Sequence, residues 1–467
     1  MSRYHYYMKS VSYIFLLVLP LLVVTGCIED GFTTSPSDQP VYSSDTLKMG
    51  TVFTAEGTPT RMFKVFNPND KGLNISEISL RDQEMGSIFR INVDGVSGSR
   101  FTDVEIRAND SIFVLVEATL PESGSDLPVE INAPLDFVVN GVTSTVVINA
   151  FGQDVTRLEA VTITSDATLS GEKPYQVYDS LVVAEGVTLT LDPGVTLYFH
   201  DSAELVVRGT LLSNGTPERQ VNMTGDRFGQ VVGRIPYEIM SGQWGGVYFY
   251  GSTRDNRLYN TSIRNTVYGV YVDSVSADIT EPVLTLVNCQ LRNSAGTVLV
   301  ADHAPVTAVG CEFAEAAKGA VYLYNGVHRF NHCTFANYYL FSAISGPLLY
   351  LDGETVDADI SNSILYGIGS DILPSDLAGK PVYFRNCLFK SAGSDDDNFI
   401  ATIWDADPLF YTVREDYYFD YRLKEGSPAI GAADPSLSLP DAAVDRYGLP
   451  RGSRPDVGAY VFSLDRL

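Results

Sequence analysis

The sequence predicts an all-β protein in which a β-sandwich is followed by a parallel β-solenoid. The first observation is a short phrase that returns six times: YNTSIRN at 259–265, VNCQLRN at 287–293, VGCEFAE at 309–315, NHCTFAN at 331–337, SNSILYG at 361–367 and RNCLFKS at 385–391. Its copies align Thr261, Cys289, Cys311, Cys333, Ser363 and Cys387 in one column, and Ile263, Leu291, Phe313, Phe335, Leu365 and Phe389 two residues on. Spacings of 28, 22, 22, 30 and 24 residues along the first column are too long for a heptad and too short for a propeller blade or a paired-helix repeat. They suit one coil of a solenoid, with variable loops absorbing the extra residues. The second observation is the cysteine usage. Four of the five cysteines lie in the repeated phrase, where a small, weakly polar side chain suits the inside of a tight coil. The third is residues 45–153, where apolar runs alternate with turn signals and no helical period appears.

The chain opens with a targeting segment, residues 1–27, which is set aside from fold reasoning. Arg3 and Lys9 precede an apolar run from Val11 to Val24, short for a membrane span, and the segment ends in Val-Thr-Gly-Cys27. That ending resembles the lipobox of bacterial lipoproteins and implies lipidation of Cys27, hence a membrane partner through a lipid anchor. Glu29-Asp30 just behind it resembles the surface-export signal of Bacteroidetes lipoproteins, which implies an outer-membrane protein exposed at the cell surface. Residues 28–44, rich in Ser, Thr and Pro without apolar period, read as a flexible tether. The formal charge of −25 becomes −27 once Arg3 and Lys9 leave with the leader, an acidity that argues against nucleic acid as a partner.

In 45–153 the candidate strands are 62–66, 75–80, 89–93, 103–106, 111–119, 135–140 and 144–151, which read as an antiparallel β-sandwich. Asn67-Pro68-Asn69-Asp70 is a turn. The phrases FNPNDKGLNISEISL, ANDSIFVLVEATL and VVNGVTSTVVINAFGQD resemble immunoglobulin-like domains of the hydin/abnormal-spindle type, and imply a spacer.

The solenoid is expected over 154–425. Apolar runs at 181–190 and 195–199 flank Asp192-Pro193-Gly194, a turn. The block from Val182 to Gly225 resembles the opening coils of right-handed, pectate-lyase-like parallel β-helix proteins. The irregular stretch 226–243 is the expected place for a specific site, because loops vary while coils do not. Trp244, which follows it, is read as a packing residue at the coil edge rather than a sugar platform. The tail 426–467, with Gly426-Ser427-Pro428-Ala429-Ile430, Asp445 to Arg451 and Asp456 to Tyr460, resembles the ending of such β-helices and implies a C-terminal cap. An unpaired solenoid end needs one. Asp405, Asp407, Asp445 and Asp456 are accordingly read as turn and cap residues.

The thiols are expected buried and free, since stacked coils sit ~4.8 Å apart and bridges need Cβ atoms about 3.5–4.5 Å apart. No metal set is assigned. His328 and His332 would share one side of a strand without a carboxylate partner, His332 pointing outward, and Asp395-Asp396-Asp397 reads as a solvated loop with calcium as the alternative. No cofactor and no catalytic residue are assigned. The tyrosine runs Tyr248-Phe249-Tyr250 and Tyr338-Tyr339 serve either sugar stacking or packing. Three functions stay open: a non-catalytic surface binder of glycan or protein, a polysaccharide lyase or hydrolase, and a structural or assembly protein.

Overall fold

The computed structural model describes residues 31–231, 234–276, 279–375 and 377–464. Cys27 and the rest of the segment expected to be a leader lie outside them. The fold is all-β, and it divides into two compact units between Gln153 and Asp154.

The first unit pairs two five-stranded sheets. One runs Val41–Tyr42, Arg61–Phe66, Ser111–Ala118, Phe89–Val93 and Val96–Gly98, all antiparallel. The other runs Thr46–Phe53, Val142–Gln153, Val129–Val139, Leu73–Leu80 and Arg100–Ile106. Alternation puts Phe63, Val65, Val114 and Val116 of the first sheet and Ile75, Phe137, Ile148 and Ala150 of the second into one core. Asn67 anchors its turn from inside, its amide donating to the carbonyls of Lys71, Ile106 and Arg107.

Two expectations are corrected here. The sandwich is not wholly antiparallel, because Thr46–Phe53 pairs parallel to Val142–Gln153 with a bulge beside Gly50. Lys48 and Gly50 interrupt the apolar run of that strand, which hid it. The tether expected over 28–44 is, from Gly31 onward, part of the sandwich. Thr33 N–H donates to the Gly72 carbonyl, Asn140 donates to the carbonyls of Ser35 and Asp38, and Val41–Tyr42 pairs with Val65 and Phe66. Ser35-Pro36-Ser37-Asp38 closes a turn, with Asp38 N–H on the Ser35 carbonyl. A turn and a tether share the same composition.

The second unit is built on a 25-stranded parallel sheet whose strands pair mostly with the third strand onward. That pairing winds the chain with three strands per coil, giving three faces around one apolar interior. Along one face runs the register Ile263, Leu291, Phe313, Phe335, Leu365 and Phe389, each beside the next. All six are buried. The column Thr261, Cys289, Cys311, Cys333, Ser363, Cys387 lies at the preceding corner, also buried, and its four cysteines are free thiols.

The residue just before each column member explains the corner. Asn260, Asn288, Gly310, His332, Asn362 and Asn386 all have φ between 41° and 64°, the left-handed region that Asn, Gly and His tolerate better than other residues. One left-handed residue per coil turns the chain from one face into the next. At 310 glycine leaves room for the neighbouring corner side chain, since a Cβ there would lie 2.3 Å from Asn288 Oδ1 and push it aside.

Burial pushes the Cys387 thiol up to about 12 and those of Cys289 and Cys311 well above their ordinary value, so these thiols stay protonated and unreactive. Ser363 already fills one place in the column, its hydroxyl donating to the Ser361 carbonyl and accepting from Cys333 N–H. Cys311 makes the same pair of contacts, to the Val309 carbonyl and from Cys289 N–H. Cys311→Ser therefore loses little, about 1 kcal/mol or less, and thermal melting of the variant checks it.

The tail corrects a third expectation. Residues 426–462 do not cover the solenoid end; they run back along its flank as a strap tied to the corner residues. Asn386 donates to the Ala432 carbonyl, Asn362 exchanges hydrogen bonds with Asp434, His332 meets Ser438 and the Asp456 carbonyl, and Arg446 reaches the carbonyls of Asn288 and Thr261. Solenoid pairing ends with Phe399–Ile400 on Val382–Arg385 and a single parallel bridge from Ile403 to Leu388, short of residue 425, and Phe410–Val413 with Phe419–Leu423 is a separate hairpin. Trp404 closes the interior there, its ring 5.2 Å from Phe389 and 5.0 Å from Phe399.

Candidate functional site

The three faces differ in what they leave free. The face carrying Gln290, Glu312 and Thr334 lies under the strap. Arg292 donates to Glu312 through Nε at 2.9 Å and through Nη2, Tyr460 hydroxyl donates to Glu312, and Tyr421 hydroxyl donates to Glu315. Burial opposes the Arg292 charge, but Glu312 and the nearby tyrosines more than restore it and hold the guanidinium above its usual range. Burial pushes Glu315 up to about 7 against the hydrogen bond from Tyr421. Glu312 fastens the strap and Glu315 the 410–423 hairpin, and both are buried, closed to any substrate.

The face formed by Glu204–Val207, Trp244–Phe249, Thr266–Val272, Leu299–Asp302 and the leading halves of Val321–Asn331 and Leu349–Ser361 is open. Its register places Val206, Tyr248, Tyr271, Val300, Tyr322, Tyr350 and Leu373 in one outward column. Neighbouring tyrosines stack: Tyr248 on Tyr271 with centroids 5.0 Å apart and planes within 10°, Tyr322 on Tyr350 at 4.6 Å and 6°. Within each pair the ring faces cover one another. The outer faces look along the column, Tyr248 toward Val206, Tyr271 and Tyr322 toward Val300, and Tyr350 toward Leu373. Two coils separate Tyr271 from Tyr322, about 9.6 Å at a strand spacing of ~4.8 Å. Van der Waals contact on both sides of an inserted ring takes roughly 7–8 Å, which leaves room for the pucker of a pyranose. Val300 floors this slot. At the other end, Glu204, Val206, Tyr248, Tyr250, Tyr268 and Tyr271 line a hollow of about 380 Å³.

A polar row flanks the tyrosines. Tyr271 hydroxyl donates to Asp302 at 3.1 Å; burial first, and then Asp302, push its pKa up to about 12, so it keeps its proton. His303 Nδ1 meets Asp302 at 2.6 Å and His303 Nε2 meets Asn325 Nδ2 at 2.9 Å. With Nδ1–H on the carboxylate and Nε2 accepting from the amide, no lone pair of this imidazole is left for proton abstraction. The arrangement orients hydroxyls and carboxylates for binding.

A second concavity lies under the irregular stretch expected to carry a site. Thr196, Tyr198, Asn222 and Thr224 floor it, Arg264 and Asn265 wall it, and Arg227, Phe228, Pro236 and Glu238 form its rim, enclosing about 360 Å³. Arg264 Nη1 pairs with Glu238.

The residues singled out from sequence separate clearly. Trp244 is fully buried and stacks on Phe199 with centroids 4.0 Å apart, its Nε1 donating to the Arg264 carbonyl, so it packs inside the coil and not at its edge. His328 and His332 do not share a side. His328 sits inside the coil between Val306 and Ala358, and burial lowers it to about 4. His332 turns away from the interior, as expected, but the strap buries it and lowers it to about 3. Asp395 and Asp396 accept the backbone N–H groups of Ala401, Thr402, Asn398 and Phe399, which makes them turn formers. Asp445 accepts from Tyr447, Leu449 and Val461, Asp456 from Gly431 and Phe462, and Asp407 from Leu409. Asp405 occupies a left-handed turn position. Among the described residues no group of three His, Cys, Asp or Glu side chains converges to hold a metal. Sequence reasoning missed Tyr271, Val300, Tyr322 and Tyr350. Loops of unequal length hide their alignment until the register is known.

No protein-family model matches the chain, and no curated protein matches it. Among solved structures it is similar to a family 123 glycoside hydrolase from Clostridium perfringens, at 8% identity and a TM-score of 0.17 over 24% of this chain and 25% of that one. It is also similar to a protein of unknown function from Porphyromonas gingivalis W83, at 10% identity and a TM-score of 0.19 over 27% of this chain and 60% of that one. The chain thus covers a quarter and three fifths of these two proteins' lengths.

Proposed function

We propose that this chain is a lipoprotein anchored through Cys27 at the outer membrane and exposed at the cell surface. In this reading an immunoglobulin-like spacer carries a right-handed parallel β-helix that binds glycan without cleaving it. One observation carries the reading: two stacked tyrosine pairs bracket Val300 in an open column, at a separation that admits one sugar ring. Tyrosine combines a rigid apolar ring with a polar tip, which suits a ligand with apolar faces and a rim of hydroxyls, and Asp302 and His303 supply acceptors and donors beside it. The doubly engaged His303 supports binding over cleavage.

Glycan-array binding of the mature chain, compared with a Val300→Trp variant, tests this. The indole fills the slot from an outward, half-buried position, so the variant keeps a melting temperature close to that of wild type and loses at least tenfold in affinity for the glycans that wild type retains. Undiminished binding by the variant would contradict the slot.

A further inference from the structure

The concavity under the 226–240 stretch differs from the tyrosine face in charge. In a chain of formal charge −25, its lining holds two arginines, Arg227 and Arg264, against one acid, Glu238. Arg227 is exposed on the rim and makes no ion pair among the described residues. Arg264 spends Nη1 on Glu238, while its Nε–H has no hydrogen-bond partner. The adjacent acid, Asp226, turns to His200 Nδ1 at 2.7 Å and Gln176 Nε2 at 3.2 Å and forms no ion pair with Arg227. Tyr198 and Phe228 meet edge to face at 5.3 Å and give the concavity an apolar wall. Asn222 and Thr196 add polar groups on the floor.

Guanidinium groups recognise planar anions with paired N–H donors, and an aromatic wall beside them suits the apolar face of a ring. We infer that this concavity is a subsite for a carboxylated sugar residue, with Arg227 taking the carboxylate and Arg264 the ring oxygens beside it. A volume of about 360 Å³ suits one or two sugar residues. The inference rests on the glycan-binding reading above and adds a second subsite, on a different face and of opposite charge preference.

Calorimetric titration of the mature chain with cellobiouronic acid, cellobiose and sulfated cellobiose tests it. Wild type is expected to bind the uronate at least tenfold more tightly than cellobiose, with the preference shrinking as salt screens the charge. Arg227→Gln, at an exposed position that cannot unfold the coil, and Arg264→Gln should each bring the two affinities close to parity. Arg234→Gln, an exposed arginine outside the lining, should change nothing. Val300→Trp should weaken cellobiose binding and leave the Arg227-dependent preference intact. Equal affinities in wild type, an unaffected Arg227→Gln variant, or an equal loss in Arg234→Gln would each overturn the subsite. A preference for the sulfated sugar over the uronate would overturn its assignment to carboxylate. Uronate binding without any cellobiose binding would sink the tyrosine slot and leave the subsite standing.

Discussion

Phe335→Ala unfolds about 3–5 kcal/mol more easily than wild type, the usual range for emptying a buried phenylalanine site. Phe335 is fully buried in the solenoid interior, its ring 5.3 Å from Phe313 and 5.6 Å from Phe330. Its backbone lies between those of Phe313 and Leu365 in the stacked column. Coils pack like organic solids, so neighbours held in register by hydrogen-bonded strands cannot slide in to fill the gap. Both tryptophans, Trp244 and Trp404, lie in this unit and pack on aromatic rings inside it. Urea unfolding followed by tryptophan fluorescence therefore reports the solenoid directly. A midpoint equal to that of wild type would mean the ring is not interior.

Glu312→Ala is the second large effect, again about 3–5 kcal/mol, because removing one partner of a buried pair leaves the other charge without compensation. Glu312 is buried and takes hydrogen bonds from Arg292, Tyr460 and Gln290. Its loss strands the Arg292 guanidinium and frees Tyr460, one of the side chains that pin the strap. The expected result is a lowered melting temperature together with protease cuts between residues 426 and 462 that wild type resists. Replacing both members, Glu312→Leu with Arg292→Met, removes the charge along with its partner and should recover most of the loss. A double variant as unstable as the single one would show that the pair is not the cause.

Much of the solenoid was legible because its determinants are local. Alternation with period two set Ile263 through Phe389 on one face, and small side chains marked the corner column. The corner itself was less legible. Asn260, Asn288, Asn362 and Asn386 stand in the repeated phrase, yet only their left-handed φ identifies them as the turning points. The strap could not be read locally at all: its anchors, such as Asn331 with Leu437 and His332 with Ser438, join residues 106 apart in sequence. The tail's conspicuous Asp and Arg residues were read as cap chemistry, which is right in kind, since they fold the tail, and wrong in place. The tyrosine slot needed the register as well. Tyr248 and Tyr250 stood out as a run, but Tyr271, Tyr322 and Tyr350 join them only when coils of different length are stacked, and Val300 matters because of what lies on either side of it.

Sugar held between Tyr271 and Tyr322 on one open face of the solenoid is the central expectation. Hydrogen exchange of the mature chain, measured with and without a saturating neutral oligosaccharide chosen from the array, addresses that face directly. Slowed exchange confined to segments 268–273, 299–303 and 321–324 is the predicted footprint. Protection that spares all three, or that falls instead on the face beneath the strap, would contradict it.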